Sequence, residues 1–123
     1  MLRQLCRVSE IGEHGKEIAL AGEPGPVWIM LFRRADEVRA FLNVCPHQGR
    51  SLNLSPDRFL FTPEGWLMCP HHGACFDLAD GSCVDGPCRG AALRAVGVKI
   101  EEDHVWLTSL GDVRADNAGP AAG

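Results

Sequence analysis

Two short boxes, Cys45-Pro46-His47-Gln48-Gly49 and Cys69-Pro70-His71-His72-Gly73, constrain this chain more than any other stretch. Each places a thiol and an imidazole within two or three residues of one another, in backbone bent by Pro and Gly. The boxes stand well apart, with 21 residues, Gln48 to Met68, between His47 and Cys69. Two thiols and two imidazoles brought to one point from two loops suit either tetrahedral zinc or an iron–sulfur cluster in which histidine replaces half the cysteines. Whatever the fold, it must bring two distant loops together.

The rest of the composition narrows the class. At 123 residues the chain is expected to be one domain, long enough to bury roughly two thirds of its unfolded surface. The 14 Gly, 8 Pro and absence of Tyr point to many turns rather than long helices. A net charge of −4 with mixed signs argues against a nucleic-acid partner. No segment reaches the roughly 20 apolar residues of a membrane span, and Met1–Arg7 lacks an apolar run after its basic residues, so a cytoplasmic protein without a membrane partner is expected. In that setting the 6 cysteines are expected to be reduced, and their clustering with His argues for metal rather than disulfides.

Along the chain, strands are predicted at 2–8 (an edge strand), 16–20, 27–32, 38–44, 58–61, 65–68, 75–77, 82–84, 93–100 and 104–108. The run Val27-Trp28-Ile29-Met30-Leu31-Phe32, apolar on both faces, reads as a buried central strand. The hairpin it forms with 38–44 delivers Cys45. Gly49 to Ser55 reads as loop, and a hairpin turning at Thr62-Pro63-Glu64-Gly65 folds the second box back beside the first. Residues 93–108 form a hairpin expected to close the sheet, and 111–123, poor in large apolar groups, is expected to be a flexible tail.

Two features weigh against zinc. Zinc half-sites space their ligands by two to four residues, whereas one residue separates Cys45 from His47. Both boxes also carry Pro directly after Cys and Gly after His, which suits a backbone wrapped around a larger object whose sulfurs accept from freed amides. The two boxes resemble the C-x-H and C-x-x-H signature of Rieske [2Fe-2S] proteins, and Gly86-Pro87 resembles that family's proline loop; the likeness runs from about Lys16 to Thr108. The resemblance implies one [2Fe-2S] cluster per chain, with Cys45 and Cys69 on one iron and His47 and His72 on the other. It also implies an all-β fold: an antiparallel sandwich or barrel base carrying a small cluster-binding subdomain, here about 44–90 of a domain spanning 1–110. His71, at an x position of the second box, is expected at the rim.

Departures from the family pattern are informative. High-potential members add a Cys to each box, forming a disulfide; the matching positions here are Arg50 and His71. Those members also carry hydroxyl side chains where this chain has Ala74 and Phe76. Without those donors the reduced cluster is less stabilised, and the potential is expected near the lower end of a span of about −150 to +300 mV. The implied function is a ferredoxin, not an enzyme, passing single electrons from a reductase to a terminal oxidoreductase such as an oxygenase; 123 residues leave no room for an oxygenase's own iron domain. The alternatives are a small subunit of a larger oxidoreductase, of the nitrite-reductase type, and a zinc-stabilised binding module.

The other candidates have blander readings. Cys6, Cys75, Cys83 and Cys88 are expected as buried thiols, with Cys88 the one to watch for oxidation. Trp28, Trp66 and Trp106 read as core or sheet-face residues, and His14 and His104 as solvated. Arg50 and Arg89 are candidates for steering an acidic partner. Asp77, Asp80 and Asp85 read as turn and strand-end residues rather than catalytic acids.

Overall fold

A computed structural model describes residues 3–21, 25–46, 51–71 and 73–109. Among them there is no α-helix, only one 3-10 turn at Val8–Glu10 and eleven strands. These are β1 (Arg3–Arg7), β2 (Lys16–Leu20), β3 (Val27–Arg34), β4 (Glu37–Leu42), β5 (Asn53–Ser55), β6 (Arg58–Phe61), β7 (Leu67–Met68), β8 (Cys75–Phe76), β9 (Cys83–Asp85), β10 (Ala95–Glu101) and β11 (His104–Ser109). They form a six-stranded sheet in the order β1-β11-β10-β4-β3-β2 and a five-stranded sheet in the order β5-β6-β7-β8-β9. The described strand pairs are antiparallel throughout.

The strand β3 explains the join between the sheets. Successive side chains point to opposite faces of a strand, and here both faces are covered. Ile29 and Leu31 enter a core with Leu20, Val38, Ala40, Leu42, Val96, Val105 and Leu107. Met30 and Phe32 point the other way, into a second core with Phe41, Leu52, Phe59, Leu67, Phe76 and the two box cysteines. That is why the run is apolar on both faces. The Phe32 ring meets Phe59 and Phe61 in T-shaped contacts at centroid distances of 5.1 and 5.7 Å, an arrangement favoured by the ring quadrupoles.

Several expectations are corrected. Trp28 interrupts the buried run of β3, 46% exposed between buried Val27 and Ile29. The third strand runs past its predicted end at Phe32: Arg33 and Arg34 continue the ladder opposite Val38 and Glu37. Only Ala35 and Asp36 make the turn, with Ala35 at φ 53°. Asn53–Ser55, read as loop, is β5, paired to β6 through an irregular register that period-2 patterning does not reveal. The C-terminal hairpin, expected to close the sheet, joins β1 to β4 within the six-stranded sheet. Its tight turn uses Glu102 and Asp103 at φ 53° and 63°, the left-handed pair that matches strand twist. Residues 110–123, and with them the expected tail, lie outside the described residues.

Candidate metal centre

The first box follows β4 directly. Strand pairing ends at Leu42, opposite Ile29, and one side chain then organises the exit. Asn43 is the sole buried polar residue among those described. Its Oδ1 accepts from the Leu52 amide at 2.7 Å, and its Nδ2 donates to Asn53 Oδ1 at 3.0 Å and toward Glu17 Oε2 at 3.5 Å. Its own amide donates to the Trp28 carbonyl at 2.9 Å. The Asn43 side chain thus ties the two ends of the first loop together, and its backbone amide fixes them to β3. Beside it, burial first and then the Asp57 carboxylate push the Glu17 carboxyl above its ordinary range.

The second box is a tight turn between β7 and β8. The Cys69 amide donates to the Ala74 carbonyl at 2.7 Å and the Gly73 amide to the Cys69 carbonyl at 3.0 Å. Gly73 takes φ 76°, which an L side chain adopts at a cost. Over this turn lies Gly86, at φ 96°, so close that an added Cβ would sit 2.8 Å from Ala74 Cα and 3.2 Å from its nitrogen. The stretch that resembled a proline loop therefore packs backbone to backbone on the second box.

These turns bring Cys45 and Cys69, each 2% exposed, into one apolar core with Leu52, Leu67, Ala74, Phe76, Leu78 and Leu93. His47 and His72 lie outside the described residues, as do Gln48, Gly49 and Arg50. His71 is exposed. Ala74 and Phe76 are fully buried at the second box, so neither position offers a hydroxyl. Among the described residues no group of three or more Cys, His, Asp or Glu side chains stands arranged to hold a metal.

The remaining thiols are buried and no disulfide joins any of the six cysteines. Burial, then neighbouring carboxylates, pushes the Cys6 and Cys75 thiols up. The acidic candidates serve turns: Asp77 Oδ1 accepts from the Ala79 amide, Asp80 Oδ1 from the Ser82 amide and hydroxyl, and Asp85 Oδ1 from the Gly86 amide. The Ser82 bonds hold the Asp80 carboxyl below its usual range. Arg89 lies 3.6 Å from Asp85 on the exposed side. His104 is half-buried rather than fully solvated, with Nδ1 2.9 Å from the Glu102 carbonyl. Sequence reasoning passed over Asn43, whose one signal was an Asn, a strong former of local side-chain to backbone bonds, between a strand and a cysteine.

The model of the Rieske [2Fe-2S] domain family matches residues 2–108. Chlorophyllide a oxygenase, chloroplastic, of Chlamydomonas reinhardtii is 29% identical over 92 residues, covering 72% of this chain and 13% of that protein. The chain spans only 12 to 16% of the length of the curated relatives it matches. Among solved structures, the ferredoxin of carbazole 1,9a-dioxygenase from Nocardioides aromaticivorans IC177 superposes with a TM-score of 0.69 at 22% identity, covering 89% of this chain and 98% of that one. The ferredoxin of Sphingomonas yanoikuyae B1 gives 0.67 at 25% identity, covering 89% and 99%. With the fold, the paired boxes and the loop over the second of them in place, the chain belongs to the Rieske [2Fe-2S] domain family.

Proposed function

We propose that this chain is a one-electron carrier, a Rieske-type ferredoxin that takes electrons from a reductase and delivers them to a terminal oxidoreductase such as an oxygenase. The observation that carries the reading is the burial of Cys45 and Cys69 in one core, each just past the end of a strand in a loop braced by hydrogen bonds. The donor chemistry fits a [2Fe-2S] group: two sulfurs in an apolar setting with backbone turned sharply beside them, and an imidazole in each box at the family's position. Cys45, His47, Cys69 and His72 would hold one cluster per chain. Such a cluster, when bound, accepts and returns a single electron, and its imidazole ligands raise its potential above that of an all-cysteine cluster.

The chain's own part is to hold and shield. Asn43 fixes the first loop, the Cys69–Ala74 bond closes the second, and Gly86 covers it. Ala74 and Phe76 keep hydroxyls away, which supports a potential near the lower end of the Rieske span. The Asp77, Asp80 and Asp85 carboxylates are engaged in turns, which favours a carrier over a catalyst. Support for the partner class comes from near-complete coverage of two small chains that are ferredoxins, one of them the ferredoxin of a dioxygenase. Six cysteines without a disulfide suit the cytoplasm, and no described helix is long and apolar enough to cross a membrane.

The test is the EPR spectrum of the dithionite-reduced protein, with iron and zinc counted on the same sample, for the natural chain and for His71→Ala and His72→Ala. A rhombic signal of low average g with two irons per chain is expected, kept in His71→Ala and lost in His72→Ala. Silence with one zinc per chain overturns the carrier reading; loss in His71→Ala and retention in His72→Ala overturns the ligand assignment.

A further inference from the structure

The two thiols flanking the loop over the second box lie against each other. Cys88 Sγ points at Cys83 Sγ across 3.0 Å, about 1 Å longer than the roughly 2.05 Å of a disulfide bond. The approach is built by the backbone. The Cys83 amide donates to the Ala91 carbonyl at 3.0 Å and the Ala91 amide to the Cys88 carbonyl at 2.9 Å, so residues 83–91 close into a ring. Gly86 and Gly90, at φ 96° and 93°, make the two reversals that bring Cys88 back over Cys83. Cys83 Sγ also donates to the Asp85 carbonyl at 3.3 Å, which aims it into the ring. Cys75, on the neighbouring strand β8, instead points its sulfur at the Gly73 carbonyl, 3.4 Å away.

The geometry points to Cys83 and Cys88 as a dithiol modification site, converted by low-molecular-weight disulfides into an intrachain disulfide that fastens the Gly86-Pro87 loop over the second box. This inference rests on the contact between the two sulfurs and stands independently of the electron-carrier reading. Both residues are buried, each keeping 8% of its surface exposed. Cys88 Sγ is the donor in the contact with Cys83 Sγ, which leaves the opening attack to Cys83. The Cys83 thiolate displaces one thiolate from the reagent and forms a mixed disulfide. Cys88 sulfur then attacks the Cys83 sulfur, its proton passes to the departing second thiolate, and the reagent leaves as two thiols. Two thiols are oxidised and one disulfide reduced, so electrons and protons balance.

The experiment treats the anaerobic holoprotein with bis(2-hydroxyethyl) disulfide, then quenches with acid, denatures and alkylates. Mass spectrometry is expected to find two fewer alkylated thiols than the six of the untreated chain. Fragmentation of the tryptic peptide Phe59–Arg89 is expected to place the bridge between Cys83 and Cys88, with Cys69 and Cys75 alkylated. Cys75→Ser should leave the bridge unchanged, whereas Cys83→Ser and Cys88→Ser should each abolish it. Full alkylation of all six thiols under conditions that oxidise dithiothreitol, or a bridge to Cys45, Cys69 or Cys75, would overturn the assignment. The wild-type peptide map decides the matter even if a serine variant fails to fold.

Discussion

Replacing Gly86 by Ala tests how tightly the loop over the second box is seated. Two costs arise. At φ 96° an L side chain is strained, and the position precedes a proline, which restricts it further; such strain costs about 1–3 kcal/mol. The new Cβ would also stand 2.8 Å from Ala74 Cα and 3.3 Å from the Gly73 carbonyl oxygen, backbone atoms that cannot swing aside. Forced overpacking of this kind adds about 1–3 kcal/mol. Gly90 supplies the control, since its φ is 93° yet an added Cβ meets nothing within 4 Å. Gly90→Ala should show the strain alone and Gly86→Ala both costs. At about 4 °C per kcal/mol for a domain near this size, the difference between the variants is roughly 4–12 °C in melting temperature. Thermal melts at one fixed scan rate, followed together by far-ultraviolet circular dichroism and visible absorbance, measure it. Equal melting temperatures for the two variants would refute the close packing of Gly86 on the second box.

Two further outcomes follow from the same residues. Asn43→Ala strands the buried Leu52 amide, which should cost about 1–3 kcal/mol in denaturant unfolding and lower iron retention at the first box, whereas a surface control such as Glu13→Ala should stay within about 0.5 kcal/mol. Unchanged stability in Asn43→Ala would refute its bracing role. For Cys88 the sign is set by a folded-state pKa raised from 9.0 to about 12. Above pH 9 the unfolded chain gives up this proton while the folded chain keeps it, so stability present below pH 9 is lost progressively as pH climbs toward 12. Chemical denaturation between pH 8 and 11 should show a steeper decline for the natural chain than for Cys88→Ser, and parallel declines would contradict it.

How far the sequence could be read depended on whether the forces were local. The strands β2, β3, β10 and β11 were legible because their runs are long and their turns marked, and the double-faced burial of β3 followed from Ile29 to Phe32 being apolar without alternation. The register-shifted β5 was not legible, since three residues such as Asn53, Leu54 and Ser55 carry no period, and β6 alone makes them a strand. The exposure of Trp28 was hidden for a related reason: an aromatic in an apolar run looks buried unless the packing on its own face is known. At the site, Cys45 and Cys69 stood out by spacing, while Asn43 and the meeting of Cys83 with Cys88 arise from backbone reversals that no short motif encodes.

The six-stranded sheet has a further consequence for how the site comes into being. The strands β4 and β10 are ladder neighbours, Phe41 opposite Ala95, and the Leu42 amide donates to the Arg94 carbonyl at 2.9 Å. The whole stretch between them, roughly 50 residues holding both boxes, therefore leaves and re-enters through a single neck. Bringing the ends of such a stretch together costs about 3.5 kcal/mol of chain entropy, a cost that the β4–β10 ladder offsets for both boxes at once. Both boxes thus hang from one hinge point on the larger sheet, so a disturbance of the Phe41–Ala95 pairing would reach the two loops together.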